Sequence, residues 1–128
     1  MSKFITILRS VQTELGSDFR AAYIIAPGGE ILAKLNEIPS RANSFSNANL
    51  AGVFKLVDDL KASLRAGPFE EALVTLTNGY ILTISLPGNA GYLSLVVRRK
   101  EALDLAKLLA KEFASEVANL INSDYGKK

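Results

Sequence analysis

The residues that could carry out chemistry in this chain are few, and they do not converge. The 128 residues include no Cys and no His, which excludes thiol nucleophiles, Cys/His zinc sites and catalytic schemes that need an imidazole. Adjacent carboxylates occur at Asp58-Asp59 and at Glu70-Glu71. Neighbouring side chains point about 100° apart on a helix and to opposite faces on a strand, so neither pair converges on one substrate or metal ion. We therefore predict a protein that is not an enzyme and that holds no metal and no cofactor.

Two glycine-rich stretches and one basic cluster are the remaining candidates for a binding motif. Pro27-Gly28-Gly29 and Gly88-Asn89-Ala90-Gly91 lack the GxxxxGK[ST] pattern of a phosphate-binding loop, and neither leads into the helix that such a loop requires. Arg98-Arg99-Lys100 is the one basic cluster, but the whole chain has a net charge of only +2. That charge is too small for a nucleic-acid footprint. We interpret the cluster as a solubilising group at the sheet edge and helix start, with an acidic or phosphate partner as the alternative.

The least polar part of the chain is residues 72–97, a run of 26 positions without a charged residue. Asn78-Gly79 and the Pro87 to Gly91 loop divide this run into pieces that are too short to cross a bilayer as helices. The N-terminus has no signal-peptide pattern. We therefore expect a cytoplasmic protein that does not insert into membranes.

Apolar periodicity predicts one domain over residues 1–128, with a flexible tail at 124–128. Helical spacing favours a helix from Ser2 to Leu15 that Gly16 ends, although the β-branched residues near its start also suit a strand. Further helices are predicted at about 50–64 and 100–121, and strands at 19–26, 30–35, 69–77, 80–86 and 92–98. Asn78-Gly79 indicates a type I′ hairpin turn. The predicted fold is of the α/β class (α+β type), a three-layer sandwich with a five-stranded antiparallel sheet and the order α-β-β-α-β-β-β-α.

Two features predict pairing with a second copy of the chain. The apolar arc of the mid-chain helix spans about 160°, wider than the stripe of roughly 100° that one neighbour covers, and Leu56 and Leu60 form its extra flank. The strand that follows has Glu70-Glu71 at its start, but residues 72–77 lack the charges and prolines that usually protect an edge.

The order of these elements resembles the roadblock/dynein light chain family of the roadblock-longin superfamily over the whole chain. The resemblance is carried by the strand-turn-strand from Ala22 to Ala33, the mid-chain helix closed by Gly67, the hairpin at Gly79-Tyr80-Ile81-Leu82 and the long closing helix. It implies a non-enzymatic homodimeric scaffold or adaptor that pairs through the strand after the central helix. Such dimers bind or regulate a small Ras-like GTPase or another roadblock/longin-type protein.

The resemblance and the exposed strand together give two sets of candidate residues. The predicted dimer interface comprises Val53, Leu56, Leu60, Glu71, Leu73, Thr75 and Thr77, and the predicted partner contacts are Lys55, Asp58, Asp59, Ala62 and Arg65. The alternative is a monomeric longin-like trafficking or targeting module. A strand at the N-terminus would favour that alternative, whereas a helix there favours the roadblock type.

Overall fold

Two helices and five strands make up the part of the chain that the computed structural model describes, residues 2–36 and 70–124. The elements are α1 (Ser2–Leu15), β1 (Phe19–Ile25), β2 (Ile31–Asn36), β3 (Glu71–Leu76), β4 (Gly79–Ser85), β5 (Tyr92–Val97) and α2 (Leu103–Asp124). The predicted helix at 2–15 is therefore confirmed, and α2 continues three residues beyond the predicted Ile121. The predicted mid-chain helix lies outside the described residues.

The strands form one antiparallel sheet in the order β2-β1-β5-β4-β3. Strands β1 and β2 form one half of the sheet, and the β3-β4-β5 meander forms the other half. Strands β2 and β3 are consequently the two edges. The predicted five-stranded antiparallel sheet of an α+β protein is confirmed.

Both helices lie on the same face of the sheet, which we call the helix side. Helix α1 packs on β1 and β2, while α2 packs on β4 and β5, and the two helices contact each other. Phe4, Leu8 and Val11 of α1 are fully buried in this layer. No helix within residues 2–36 and 70–124 is long and apolar enough to span a bilayer.

Small residues allow α2 to approach the sheet closely. Ala106, Ala110 and Ala114 are buried along its inner face. Phe113 and Leu120, which periodicity places on the buried face, are only partly buried against this core. Alanine contributes little to an apolar pattern, although its small side chain suits the line of closest helix-sheet contact.

The opposite face of the sheet carries a second cluster of buried residues around Tyr23, Ile25 and Ile81. Burial raises the pKa of the Tyr23 phenol above its ordinary value of 10.0, because the tyrosinate loses its hydration there. The hydroxyls of Thr83 and Ser94 lie 2.6 Å apart on this face and form a buried hydrogen bond between β4 and β5.

The β3-β4 hairpin exists as predicted, but its turn is displaced by one residue. Leu76 pairs with Gly79, so Thr77 and Asn78 form the turn, and Asn78 and Gly79 both keep a negative φ. The predicted type I′ turn is therefore wrong. A Cβ on Gly79 would lie 3.0 Å from the carbonyl oxygen of Val97. The glycine is needed for close backbone contact within the sheet and not for a left-handed turn.

Candidate functional site

Strand β3 is an exposed edge of the sheet. Most of its residues are exposed, and its two leucines, Leu73 and Leu76, are 52% and 41% exposed. After Glu71 the strand carries no charged residue. An apolar edge of this kind is a surface on which another strand can pair.

The hydrogen bonds between β3 and β4 determine which backbone groups of β3 remain available. The Ser85 N–H donates to the Glu70 carbonyl oxygen at 2.8 Å, and antiparallel pairing alternates bonded and non-bonded positions along a strand. The even-numbered residues of β3 therefore bond to β4. The N–H and C=O groups of Glu71, Leu73 and Thr75 point outward, away from the sheet.

The side chains of these same three residues share one face. Leu73 is opposite Leu82 and Thr75 is opposite Tyr80, and both partners belong to the core on the helix side. Val74 and Leu76 alternate to the other face, where Val74 packs on the second cluster. These two edge residues are absent from the predicted interface, although the period-two alternation of a strand indicates them.

The structure describes only part of the predicted site. Glu71, Leu73 and Thr75 lie together on β3 as expected, whereas Thr77 belongs to the following turn and not to the strand. The other predicted interface residues, Val53, Leu56 and Leu60, lie outside the described residues. So do all of the predicted partner contacts: Lys55, Asp58, Asp59, Ala62 and Arg65.

An exposed ion pair connects β3 to α2. The Lys107 Nζ lies 3.3 Å from Oε2 of Glu71, and both side chains are more than one-third exposed. Exposed pairs of this kind contribute about 0–1 kcal/mol to stability. The pair is therefore a marker of where α2 approaches β3 and not a major source of stability.

The basic cluster at the end of β5 has a structural role that the sequence did not indicate. The Arg99 guanidinium donates two hydrogen bonds to the Asp18 carboxylate, from Nε at 2.7 Å and from the terminal nitrogen at 3.1 Å. The Arg98 Nε donates to the Ser17 carbonyl oxygen at 3.2 Å. Through these hydrogen bonds the two arginines connect the turn before β1 with the segment between β5 and α2.

The same contacts shift the pKa of the Asp18 carboxyl. The hydrogen bonds from Arg99, together with its positive charge, hold the pKa of the Asp18 carboxyl below its ordinary value of 3.8. The Asp18 carboxylate in turn raises the pKa of the Arg99 guanidinium. Two of the three residues in the basic cluster are thus engaged within the chain.

Within residues 2–36 and 70–124, no group of three or more acidic side chains is arranged to hold a metal ion. The prominent feature of this part of the chain is instead the apolar edge, with outward backbone groups at Glu71, Leu73 and Thr75. Such an edge suits binding of another polypeptide.

Solved structures identify the fold. An MglB in a tetrameric arrangement superimposes with a TM-score of 0.78 at 17% identity, covering 95% of this chain and 90% of that one. The chain has the roadblock fold. A roadblock/LC7 domain from Streptomyces avermitilis matches with a TM-score of 0.64 at 13% identity, covering 95% and 96% of the two chains.

Other structural comparisons agree with the roadblock fold over nearly the full chain. MglB from Myxococcus xanthus gives a TM-score of 0.77 at 11% identity and covers 96% of this chain and 98% of that chain. At the level of sequence, no protein-family model matches the chain. No curated protein sequence matches it either.

Proposed function

We propose that this chain is a non-enzymatic, homodimeric roadblock-type scaffold that binds or regulates a small Ras-like GTPase in the cytoplasm. The observation that carries the proposal is the unprotected β3 edge at one end of a roadblock-fold sheet. An adaptor acts through its surfaces, which agrees with a chain that has no His and no Cys.

Pairing of two β3 edges would satisfy the groups that this strand exposes. A two-fold axis perpendicular to the sheet makes the paired strands antiparallel, so the outward N–H and C=O groups of Glu71, Leu73 and Thr75 meet the same groups of the second copy. The sheets of the two copies would then be continuous. The exposed areas of Leu73 and Leu76 would decrease at the same time, which adds a hydrophobic contribution to the backbone hydrogen bonds.

Helix α1 favours the roadblock type over the longin-like alternative. The N-terminal segment Ser2–Leu15 is helical over its whole length, and a longin-like module would begin with a strand. The GTPase assignment is supported by the family resemblance in the order of elements. Matches to proteins described as MglB and as roadblock/LC7 domains support the same assignment.

A proline on β3 tests the dimer. Thr75→Pro removes an outward N–H without removing a bond to β4, and proline is tolerated on an edge strand at such a position. We expect sedimentation velocity to show a dimer for the wild type and self-association weakened on the order of 100-fold for Thr75→Pro, about 2.8 kcal/mol. Thr75→Val keeps the N–H and is the matched control. A wild-type chain that stays monomeric at 100 μM would rule out the dimer.

The GTPase role is tested with purified Ras-like GTPases from the same genome. Each is loaded with GTP, and its binding to the chain and its hydrolysis rate with the chain present are measured. We expect one of them to bind, and Asp58→Lys with Asp59→Lys to reduce that binding at least 10-fold. Lys3→Glu, on the exposed surface of α1, is the charge-reversal control. If no GTPase binds or changes its rate, the regulatory role is wrong.

A further inference from the structure

A cavity lies on the helix side of the sheet, between the start of β3, the end of β4 and the middle of α2. Its volume is about 500 Å³, and pockets for small organic ligands measure roughly 300–1,000 Å³. The apolar part of its lining is formed by Ile84, Leu86 and Ala114, which all belong to the main core. Such a lining receives the apolar part of a ligand, and the polar groups around it determine which ligand binds.

The turn after β4 forms one wall of this cavity and is held by backbone hydrogen bonds. The N–H of Leu86 donates to the Gly91 carbonyl oxygen at 2.9 Å, and the N–H of Ala90 donates to the Pro87 carbonyl oxygen at 3.3 Å. Helix α2 contacts the same turn. Because the wall is already ordered in the free chain, a ligand binds without the entropic cost of ordering a loop.

Two opposite charges line the cavity without pairing with each other. Glu70 and Lys111 both belong to the lining. Within residues 2–36 and 70–124, neither side chain has a hydrogen bond or an ion-pair partner within 4.0 Å. The third charged residue of the lining, Glu71, is already paired with Lys107 at 3.3 Å. The cavity thus offers one carboxylate and one ammonium group to a ligand.

The spacing of the lysines on α2 favours an anionic group beside Lys111. Lys107 and Lys111 are four residues apart on one face of the helix, where like charges repel each other. Lys107 has Glu71 as a partner, so a ligand carboxylate beside Lys111 would reduce the repulsion that remains. The Glu70 carboxylate in turn attracts a cationic group. A ligand that satisfies both residues carries both charges.

We propose that this cavity binds a free zwitterionic dipeptide with apolar side chains. Its α-ammonium group contacts Glu70, its α-carboxylate contacts Lys111, and its side chains pack on Ile84, Leu86 and Ala114. Two residues span at most about 7 Å, so a dipeptide can reach two groups that are too far apart to pair with each other. Neither the proposed dimer nor the GTPase role is needed for this site.

The uncharged polar residues of the lining suit the peptide bond of such a ligand. Asn89 and Ser115 both line the cavity and are exposed. An asparagine side chain donates through its nitrogen and accepts through its oxygen, and a serine hydroxyl does either. These groups can satisfy the N–H and C=O of the ligand's peptide bond, which a wholly apolar pocket would leave unpaired. A fatty acid or a simple amine carries neither the peptide bond nor both charges.

The test is an NMR titration of the isotope-labelled chain with the dipeptide leucyl-leucine, followed through backbone amide chemical shifts. Two capped forms each remove one ligand charge: N-acetyl-leucyl-leucine lacks the ammonium group, and leucyl-leucine amide lacks the carboxylate. We expect shifts around the cavity and a Kd below about 1 mM for leucyl-leucine. Each capped form should bind about 5-fold more weakly. Free leucine, which is too short to reach both charges, should also bind about 5-fold more weakly.

Matched variants assign the two charges. Glu70→Gln should weaken leucyl-leucine binding about 5-fold and leave the N-acetyl form unchanged, since that form has no ammonium group. Lys111→Gln should weaken leucyl-leucine binding about 5-fold and leave the amide form unchanged. Glu112→Gln, exposed and about 100° around α2 from Lys111, is the control and should change binding less than about 2-fold. Ser115→Trp fills the cavity at an exposed position and should weaken every ligand at least about 5-fold.

Three outcomes would overturn the site. The first is a lack of shifts around the cavity at roughly 10 mM leucyl-leucine, about ten times the expected upper limit of the Kd. The second is equal binding of the two capped forms and leucyl-leucine, which would exclude recognition of a zwitterion. The third is loss of binding in Thr75→Pro, because a site within one chain does not need a second copy. A monomeric wild type that binds leucyl-leucine would overturn the dimer and leave this site standing.

Discussion

Leu73 and Leu82 face each other on neighbouring strands, yet they lie in opposite environments. They are cross-strand partners on the helix side of the sheet, and they are 52% and 4% exposed. Both belong to the charge-free run 72–97. The difference arises because α2 lies over β4 and β5 and does not extend over β3. A run without charges therefore indicates an apolar strand, but the position of that strand in the sheet determines whether its own chain buries it.

The largest expected difference follows directly from this comparison. Leu82→Ala creates a cavity beneath α2 and should lower the free energy of unfolding by about 2–5 kcal/mol. Leu73→Ala removes an exposed side chain and should change it by less than about 0.5 kcal/mol. Urea unfolding of both variants in the Thr75→Pro background measures these effects without self-association. Similar losses for the two leucines would contradict the exposed edge.

The centre of the sheet should also be sensitive to polar substitutions that the edge tolerates. Ser94→Ala leaves the buried Thr83 hydroxyl without the partner that lies 2.6 Å away and should cost about 1–3 kcal/mol. Thr83→Val should cost a similar amount. The double variant should lose less than the two single variants combined, since no unpaired hydroxyl remains. Thermal and urea unfolding of the four proteins measure this coupling, and strictly additive losses would contradict a direct bond.

The smallest effect concerns the connection between α1 and the end of β5, and it depends on pH. Because the folded pKa of Asp18 is lowered, its pairing with Arg99 stabilises the chain at pH values above 3.8. This contribution is lost as the pH falls below 3.8 through the lowered folded pKa. Arg99→Gln should therefore reduce stability at pH 7 and at pH 5, and the difference from wild type should shrink at pH 3.

Urea unfolding at each pH provides that measurement, with Arg9→Gln on the exposed side of α1 as the control. The control should change stability by a similar small amount at all three pH values. A difference for Arg99→Gln that is constant down to pH 3 would show that the pair with Asp18 is not responsible.

Much of the fold could be predicted because the apolar periodicity of the elements and the glycines between them indicate the same element boundaries. Apolar residues at helical spacing define α1, Gly16 ends it, and Gly28-Gly29 turns β1 into β2. The same reasoning misplaced the β3-β4 turn, because Asn78-Gly79 has the composition of a type I′ turn. Gly79 is required instead by close contact with the Val97 carbonyl oxygen. A contact between distant residues leaves no signal in a local pattern.

The candidate site was predictable in kind but not in detail. The lack of charge on β3 after Glu71 indicates a pairing edge, and three of the predicted interface residues lie on the strand. The Lys107–Glu71 pair and the Arg99–Asp18 pair join residues that are 36 and 81 positions apart. No local sequence motif indicates either pair. The approach of α2 to the β3 edge likewise depends on where α2 crosses the sheet, which helical periodicity does not specify.

The outward groups of Glu71, Leu73 and Thr75 also bear on how such a chain chooses its partner. Backbone donors and acceptors are identical in every sequence, so hydrogen bonding along β3 cannot distinguish a second copy from a paralogous roadblock chain. Recognition of self must come from the side chains of Glu71 to Leu76 and from the elements beside them. In the proposed homodimer, substitutions at this edge are therefore the changes that we expect to alter the choice of partner.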